Sequence, residues 1–350
     1  MDLQQGEERL IEYTVANVVW SIWSPVLLLV GLIGNTLSFV TLARQILRHR
    51  VSTIYFRALC IADSGALLFG LLPIWPLYLA GYDVTAQHAV ICKLRNFLFI
   101  TFSDASIWLI CAFTLDRLVA VVFPLKRKSY CTRRHALIAI TVIWAVATLK
   151  NVPMLITWGI RETHNYSHHV SKCGVPEPDH AFYEEYIRPW LVFTTVTFIP
   201  FIFITACNII IVHHVQRMGL SQATIARVRS ITRQSSEISV ASMSRMCLAV
   251  SFTFVVLVSP SIVILVGKPY WTKTEQSEAK FHLARSFGNL CQYTNNAINF
   301  LLYLSSGREF RRELRSLCSS SNSSSKSRCS RSARSGNSNG VHYSWVDTTL

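Results

Sequence analysis

VANVVWSIWSPVLLLVGLIGNTLSFVTLA, residues Val15–Ala43, runs without a single Asp, Glu, Lys or Arg. About 20 apolar residues suffice for a helix to cross the hydrocarbon core of a bilayer. The same signature returns in Trp190–Val212, Met246–Gly267 and Ser286–Ser306. Three further stretches carry one charge each: Ala58–Ala80 with Asp63, Asn96–Leu115 with Asp104, and Ala136–Gly159 with Lys150. The composition agrees, with 51% hydrophobic and 15% charged residues among 350, against about 25% charged in a soluble domain. The expected fold is therefore all-α, a bundle of seven transmembrane helices. The spans and their short connections use most of the chain, which leaves no room for a separate soluble catalytic domain.

Charge placement orients the bundle. With the N-terminus outside, the cytoplasmic side collects Arg44, Arg48, Arg50 and Arg57, then Arg117, Lys126, Arg127, Lys128, Arg133 and Arg134, then Arg217, Arg227, Arg229, Arg233 and Arg245. The tail adds Arg308, Arg311, Arg312 and Arg315 and more beyond them. That is most of the 34 Lys and Arg, in short segments close to helix ends, where the positive-inside rule applies. The net charge of +15 thus reflects membrane topology and calls for no nucleic-acid partner. The expected location is the plasma membrane, with multiple passes. Met1–Thr14 is acidic and lacks the basic start of a signal peptide, so the first span reads as an uncleaved anchor.

The chain divides into an extracellular N-terminus (1–14), a seven-span domain (15–306), a membrane-surface helix (307–318) and a disordered cytoplasmic tail (319–350). In the third part, Phe310, Leu314 and Leu317 share one helical face among basic residues, which suits a helix lying on an anionic inner leaflet and its lipid. Cys318 at its end reads either as a palmitoylation site or as an unmodified thiol. The cytoplasmic Val215–Ser244 segment is long enough to extend the fifth and sixth helices. Asn165-Tyr166-Ser167 is a sequon on the extracellular side, used or unused. Thr348-Thr349-Leu350 fits a C-terminal ligand for a PDZ domain, with Leu350 in the pocket, though three residues are a short signal.

Span by span, the polar residues follow an ordered set: Gly34-Asn35, Asp63, Cys92 at the head of the third span, Asp116-Arg117 at its inner end, Trp144, Cys173, Pro200, Pro260 and Asn299–Tyr303. In this set the chain resembles the rhodopsin-like (class A) G-protein-coupled receptors, from Val15 to about Leu317. The run Asn299-Phe-Leu-Leu-Tyr303-Leu-Ser-Ser-Gly-Arg-Glu-Phe-Arg resembles FMRFamide-type and related neuropeptide receptors. The chain also departs from the family pattern. Leu118 follows Arg117 where Tyr is usual, Phe300 replaces a Pro, Val258 stands where many members carry a Trp, and Asn208 replaces a Tyr.

The resemblance implies several sites. Cys92 and Cys173 would form a disulfide pinning the second extracellular loop over the bundle. Asn35, Asp63, Ser106, Asn295 and Asn299 would form a polar core that either binds sodium as an allosteric ion or remains a hydrogen-bonded knot; no other cofactor is implied. Asp116, Arg117 and Tyr303 would form the switch that engages a heterotrimeric G protein, and the Ser-rich tail would meet arrestin once phosphorylated. The ligand pocket would draw on Phe99, Phe102, Ser103, Trp190, Gln292 and Tyr293. Phe99 stands where amine receptors carry an Asp, which argues against a biogenic amine. Tyr293 stands where opsins carry the retinal lysine.

Acidic residues at the extracellular mouth (among them Glu7, Glu8, Glu12, Glu184, Glu185 and Glu278) would steer a cationic ligand inward. With the resemblance, the expected ligand is a basic, amidated extracellular neuropeptide. Competing readings are a receptor for a small lipid or metabolite and, in another class, a membrane transporter; the latter would show paired broken helices or repeats. An enzyme is not expected, because no HExxH or other ligand cluster occurs in the spans.

Two membrane charges fall outside the family pattern. Asp104 lies roughly 18 Å below Cys92, and Lys150 roughly 13 Å from the outer end of the fourth span, at 1.5 Å per residue. A lone charge at such depth costs at least about 2.5 kcal/mol, so a buried Asp104–Lys150 ion pair beneath the pocket is expected. The alternative has Lys150 reaching backbone carbonyls, with Asp104 protonated or bonded to a hydroxyl.

Overall fold

Apolar stretches of this length satisfy every backbone group internally only as helices, and helices account for nearly all the architecture. The computed structural model of the chain describes residues 2–44, 47, 50–165, 168–176, 180, 182–225, 231–271 and 274–317; side chains at 2–10, 162–171, 218–247, 269 and 275 are outside this description. Helix α1 is Asp2–Ala43, α2 the span Val51–Ala80, and α3 Ala89–Val122. Helix α4 is Arg133–Asn151, and α5 the span Tyr183–Arg217, helical onward to Ile225. Helix α6 is Ile231–Gly267, and α7 is Glu275–Ala297, continued by Asn299–Ser306. A short helix, α8, covers 308–317. The cytoplasmic ends of α5 and α6 extend well past their apolar spans.

Among the described residues, six helices are long and apolar enough to cross a membrane. The seventh, α7, carries Glu275, Glu278, Lys280 and Arg285 in its outer half and becomes uncharged from Ser286 inward. Exposed apolar side chains mark the lipid-facing surface. Only 17% of the most apolar window of α4 is buried, and Val142, Val146 and Leu149 point outward from it. In water such a face would be a large apolar patch. In lipid it is the ordinary surface. This is a seven-helix, multi-pass membrane bundle.

Local chemistry ends the helices where the sequence supplies it. His88, Thr132 and Thr274 cap α3, α4 and α7 by accepting the N–H of Val90 (3.2 Å), His135 (3.3 Å) and Ser277 (3.4 Å). Gly81, at φ 70°, closes α2 in the left-handed conformation. Within α2, a π turn at Leu67–Leu71 precedes Pro73. Pro73 has no N–H to offer the carbonyl of Phe69, and Arg95 takes that carbonyl instead (3.0 Å), together with that of Gly70 (2.8 Å). Two further π turns, Tyr183–Ile187 and Phe193–Phe198, rotate the face of α5 ahead of Pro189 and Pro200.

The second extracellular loop holds the one departure from an all-α chain among the described residues. It forms an antiparallel hairpin of β1 (Gly159–Asn165) and β2 (His168–Gly174), in register from Gly159↔Gly174 to Asn165↔His168. The Cys92–Cys173 disulfide, with Cα atoms 5.6 Å apart, ties β2 to the head of α3.

On the inner side, α7 breaks at Ile298 without the usual proline. Helix α1 packs closely here because Gly34 has no Cβ; one would lie 2.9 Å from the Cβ of Phe300. Helix α8 turns its apolar face partly into the bundle. Phe310 is buried against Phe300 and Tyr303, at ring separations of 6.0 and 5.8 Å, with Leu314 packed beside it. Arg311 caps α7 by donating to the carbonyls of Leu304 (2.8 Å) and Ser305 (2.6 Å), and Glu309 pairs with Arg50 (2.6 Å). Phe310 thus docks α8 onto the bundle, because that ring finds an aromatic cleft at the end of α7.

Candidate functional site

The outer half of the bundle encloses a cavity of about 220 Å³ that continues into an outer lobe of about 300 Å³. Ile74, Arg95, Trp158, Arg285 and Asn289 line both. Helix α3 contributes Asn96, Phe99, Ile100 and Ser103, which recur at i, i+3, i+4 and i+7 and so share one face. Helix α5 contributes Arg188, Val192 and Val196; α6 contributes Ser261, Ile262 and Leu265; α7 contributes Arg285, Asn289, Gln292 and Tyr293.

Four residues expected in the pocket, Phe99, Ser103, Gln292 and Tyr293, line this cavity. Phe99 and Tyr293 pack ring to ring at 5.5 Å. Phe102 and Trp190 do not line it. Phe102 faces α2 and α4, between Phe69 (5.6 Å) and Trp144 (5.0 Å). Trp190 is 47% exposed on the outer surface and packs on Phe193. The inward face of α5 runs through Arg188, Val192 and Val196, and Trp190 lies about 200° around the helix from Arg188.

Asp104 lies at the cavity floor, 2% exposed. Its Oδ2 is 2.7 Å from Lys150 Nζ and accepts Asn151 Nδ2 at 2.7 Å. Lys150 also donates to Thr195 Oγ1 at 3.3 Å. Asn151, missed in the sequence reading, is the neutral third member of this cluster.

The walls carry positive charge that the sequence reading, with its aromatic and polar lining, did not include. Arg95, Arg188 and Arg285 line the cavity. Arg188 is neutralised by an ion pair with Glu184, which also accepts Thr157 Oγ1 at 2.9 Å. Arg95 spends its donors on neutral groups, the carbonyls of Phe69 and Gly70 and Asn96 Oδ1 (2.9 Å). Arg285 has no hydrogen-bond or carboxylate partner among the described residues, and it is exposed to the cavity. Of the acidic residues expected at the mouth, Glu184 is consumed within the bundle, and the pocket beneath the mouth is itself basic. The side chains of Asp2, Glu7, Glu8, Glu177, Asp179 and Glu275 lie outside the described residues. A sequence signal existed, since Arg285, Asn289 and Gln292 continue one face outward from Tyr293 at helical spacing.

Deeper in, Asp63 is fully buried. Ser106 Oγ donates to its Oδ1 (2.7 Å) and Asn299 Nδ2 to its Oδ2 (2.6 Å). Asn35 does not bond Asp63; its Nδ2 donates to the carbonyl of Asn296 (3.1 Å), and its Oδ1 is buried without a partner. Asn295 is buried and makes no bond to Asp63. At the cytoplasmic end, Arg117 Nη2 meets Asp116 Oδ2 at 2.5 Å, both residues buried. Tyr303 is fully buried against Phe56 (4.8 Å), its hydroxyl unpartnered. Val258, in the place of the usual Trp, is buried in the main core.

The backbone puts Asn165 at the tip of the hairpin, paired with His168, while Tyr166 and Ser167 of its sequon are outside the described residues. Cys318, Thr348 and Leu350 are outside them too.

Comparison with known proteins agrees with this geometry. The family described as "7 transmembrane receptor (rhodopsin family)" matches residues 34–303. The chain is 23% identical to a probable G-protein coupled receptor of Caenorhabditis elegans, over 85% of this chain and 69% of that protein. It is 25% identical to the allatostatin-A receptor of Bombyx mori, over 90% and 83%. It is 31% identical to human neuromedin-U receptor 1, over 43% of this chain and 34% of the receptor. With a match across seven helices that enclose an outer cavity and end in a buried Asp–Arg pair, the chain belongs to the rhodopsin family of seven-transmembrane, G-protein-coupled receptors and is not an enzyme.

Proposed function

We propose that this receptor binds an extracellular neuropeptide with an amidated C-terminus and, when occupied, activates a heterotrimeric G protein. The observation that carries the reading is the outward-facing cavity walled by Asn289, Gln292 and Ser261. Ser261 Oγ lies 3.1 Å from Asn289 Oδ1 and 3.2 Å from Gln292 Oε1. That arrangement leaves both side-chain NH2 groups free to donate to a peptide carbonyl. The likeness to receptors named for allatostatin-A and neuromedin-U supports a peptide over a lipid or metabolite.

Inside the membrane, Asp63, Ser106 and Asn299 would hold a sodium ion, with the orphaned Oδ1 of Asn35 as a further oxygen donor. Hard oxygen donors suit such a cation, whose charge would offset that of the buried carboxylate. Arg117, released from Asp116, would present its guanidinium to the G protein. Arrestin and a PDZ-domain protein are proposed partners of the tail.

The test is expression with promiscuous G proteins and a calcium readout against pooled amidated peptides. At least one pool should give a saturable response that Arg117→Ala abolishes. Silence to every pool from receptor verified at the cell surface would reject the peptide reading.

A further inference from the structure

We infer that the cavity is an anion subsite, with Arg285 as its principal contact, and that the inserted end of the ligand carries an acidic group. This deepens the peptide reading above and rests on it for the word peptide, but not for the anion. Three charges of one sign enter the cavity, and their compensation differs. Arg188 is cancelled by Glu184. The Asp104–Lys150 pair at the floor cancels itself. Arg95 is held rigid by two backbone carbonyls and Asn96, all neutral, so its charge persists. Arg285 has neither an acid nor a hydrogen-bond acceptor among the described residues and faces the open space.

Two uncompensated guanidinium groups inside low-dielectric walls focus a positive potential into the cavity. The carboxylate that lines the outer lobe among the described residues, Asp83, is engaged by the N–H (2.8 Å) and hydroxyl (2.6 Å) of Thr85. Arg285 and the NH2 groups of Asn289 and Gln292 lie on one face of α7 and together make a donor array. Guanidinium recognises carboxylate by paired hydrogen bonds. The ligand group assigned to this place is a carboxylate, from an Asp or Glu side chain next to the amidated end or from a free C-terminus.

The charge is tested first without any peptide. Asn289→Cys, in a Cys291→Ser background, is treated with sulfonatoethyl and with trimethylammonioethyl methanethiosulfonate, and each rate is normalised to free cysteine. The anionic reagent should be favoured about tenfold or more, as expected of electrostatic focusing. Adding Arg285→Gln should bring the ratio toward one, whereas Arg285→Lys should preserve it. A normalised ratio of one or less, or one unmoved by Arg285→Gln, overturns the anion subsite.

Signalling then identifies the source of the carboxylate. Amidated libraries with Asp or Glu at a fixed position should exceed their Asn or Gln counterparts about 10–100-fold in potency, the range for a charge-assisted hydrogen bond at about 1.4 kcal/mol per decade. Arg285→Gln should erase the difference. Equal potencies would also overturn the subsite. A response confined to free-acid peptides would keep the subsite and remove the amide from the proposed function. A receptor that passes the reagent test yet answers no library keeps the subsite and loses the peptide.

Discussion

Breaking the Asp104–Lys150 pair from each side should have unequal effects. The carboxylate side chain is 3% exposed and the ammonium side chain 18%. Removing one member of a buried pair costs about 3–5 kcal/mol, chiefly because the other charge is left uncompensated. With Lys150→Met, the Asp104 carboxylate keeps only Asn151 in a nearly dry site, so the loss should fall at the upper end. With Asp104→Asn, Lys150 keeps Thr195 and partial access to water, so the loss should fall at the lower end or below it. The double variant carries no stranded charge and should recover about 1–3 kcal/mol relative to the sum of the two single losses. Thermal unfolding of the purified receptor in detergent, together with surface expression, reads the cycle. If the single losses add to within about 0.5 kcal/mol, or if Asp104→Asn is the more damaging, the reasoning fails.

Arg117→Ala should leave agonist binding largely intact and abolish G-protein activation, measured as nucleotide exchange in membranes. Full exchange from correctly inserted variant would remove Arg117 from the switch. Sodium should lower agonist affinity relative to a large inert cation at equal ionic strength, and Asp63→Asn should eliminate the difference; identical titrations in the unmodified receptor would discard the ion. Gly65→Ala should reduce thermal stability by about 1–3 kcal/mol as overpacking, because the new Cβ would fall 2.1 Å from Phe102, a ring already confined by Phe69 and Trp144. Phe102→Leu should rescue it in part; a fully stable Gly65→Ala receptor would show that the α2–α3 contact is loose.

The seven spans, their orientation and the polar residues at each depth were legible because the bilayer imposes them one segment at a time. Length, lack of charge and the placement of Arg and Lys are properties of a stretch and need no knowledge of its neighbours. The partners of Asp104 and Lys150 could be guessed for the same reason, since a charge at that depth demands one. What a neighbouring helix contributes was not legible. The exclusion of Trp190 from the pocket depends on the phase of α5, which two π turns reset. The hold on Arg95 depends on carbonyls of a different helix, one of them, that of Phe69, freed by Pro73. The sign of the pocket depends on Glu184 being consumed by Arg188 while Arg285 is left open to the cavity. Helical periodicity says which residues share a face, but the compensation of a charge is a property of the space between helices. Only the tertiary structure decides that, by bringing together side chains far apart in the chain.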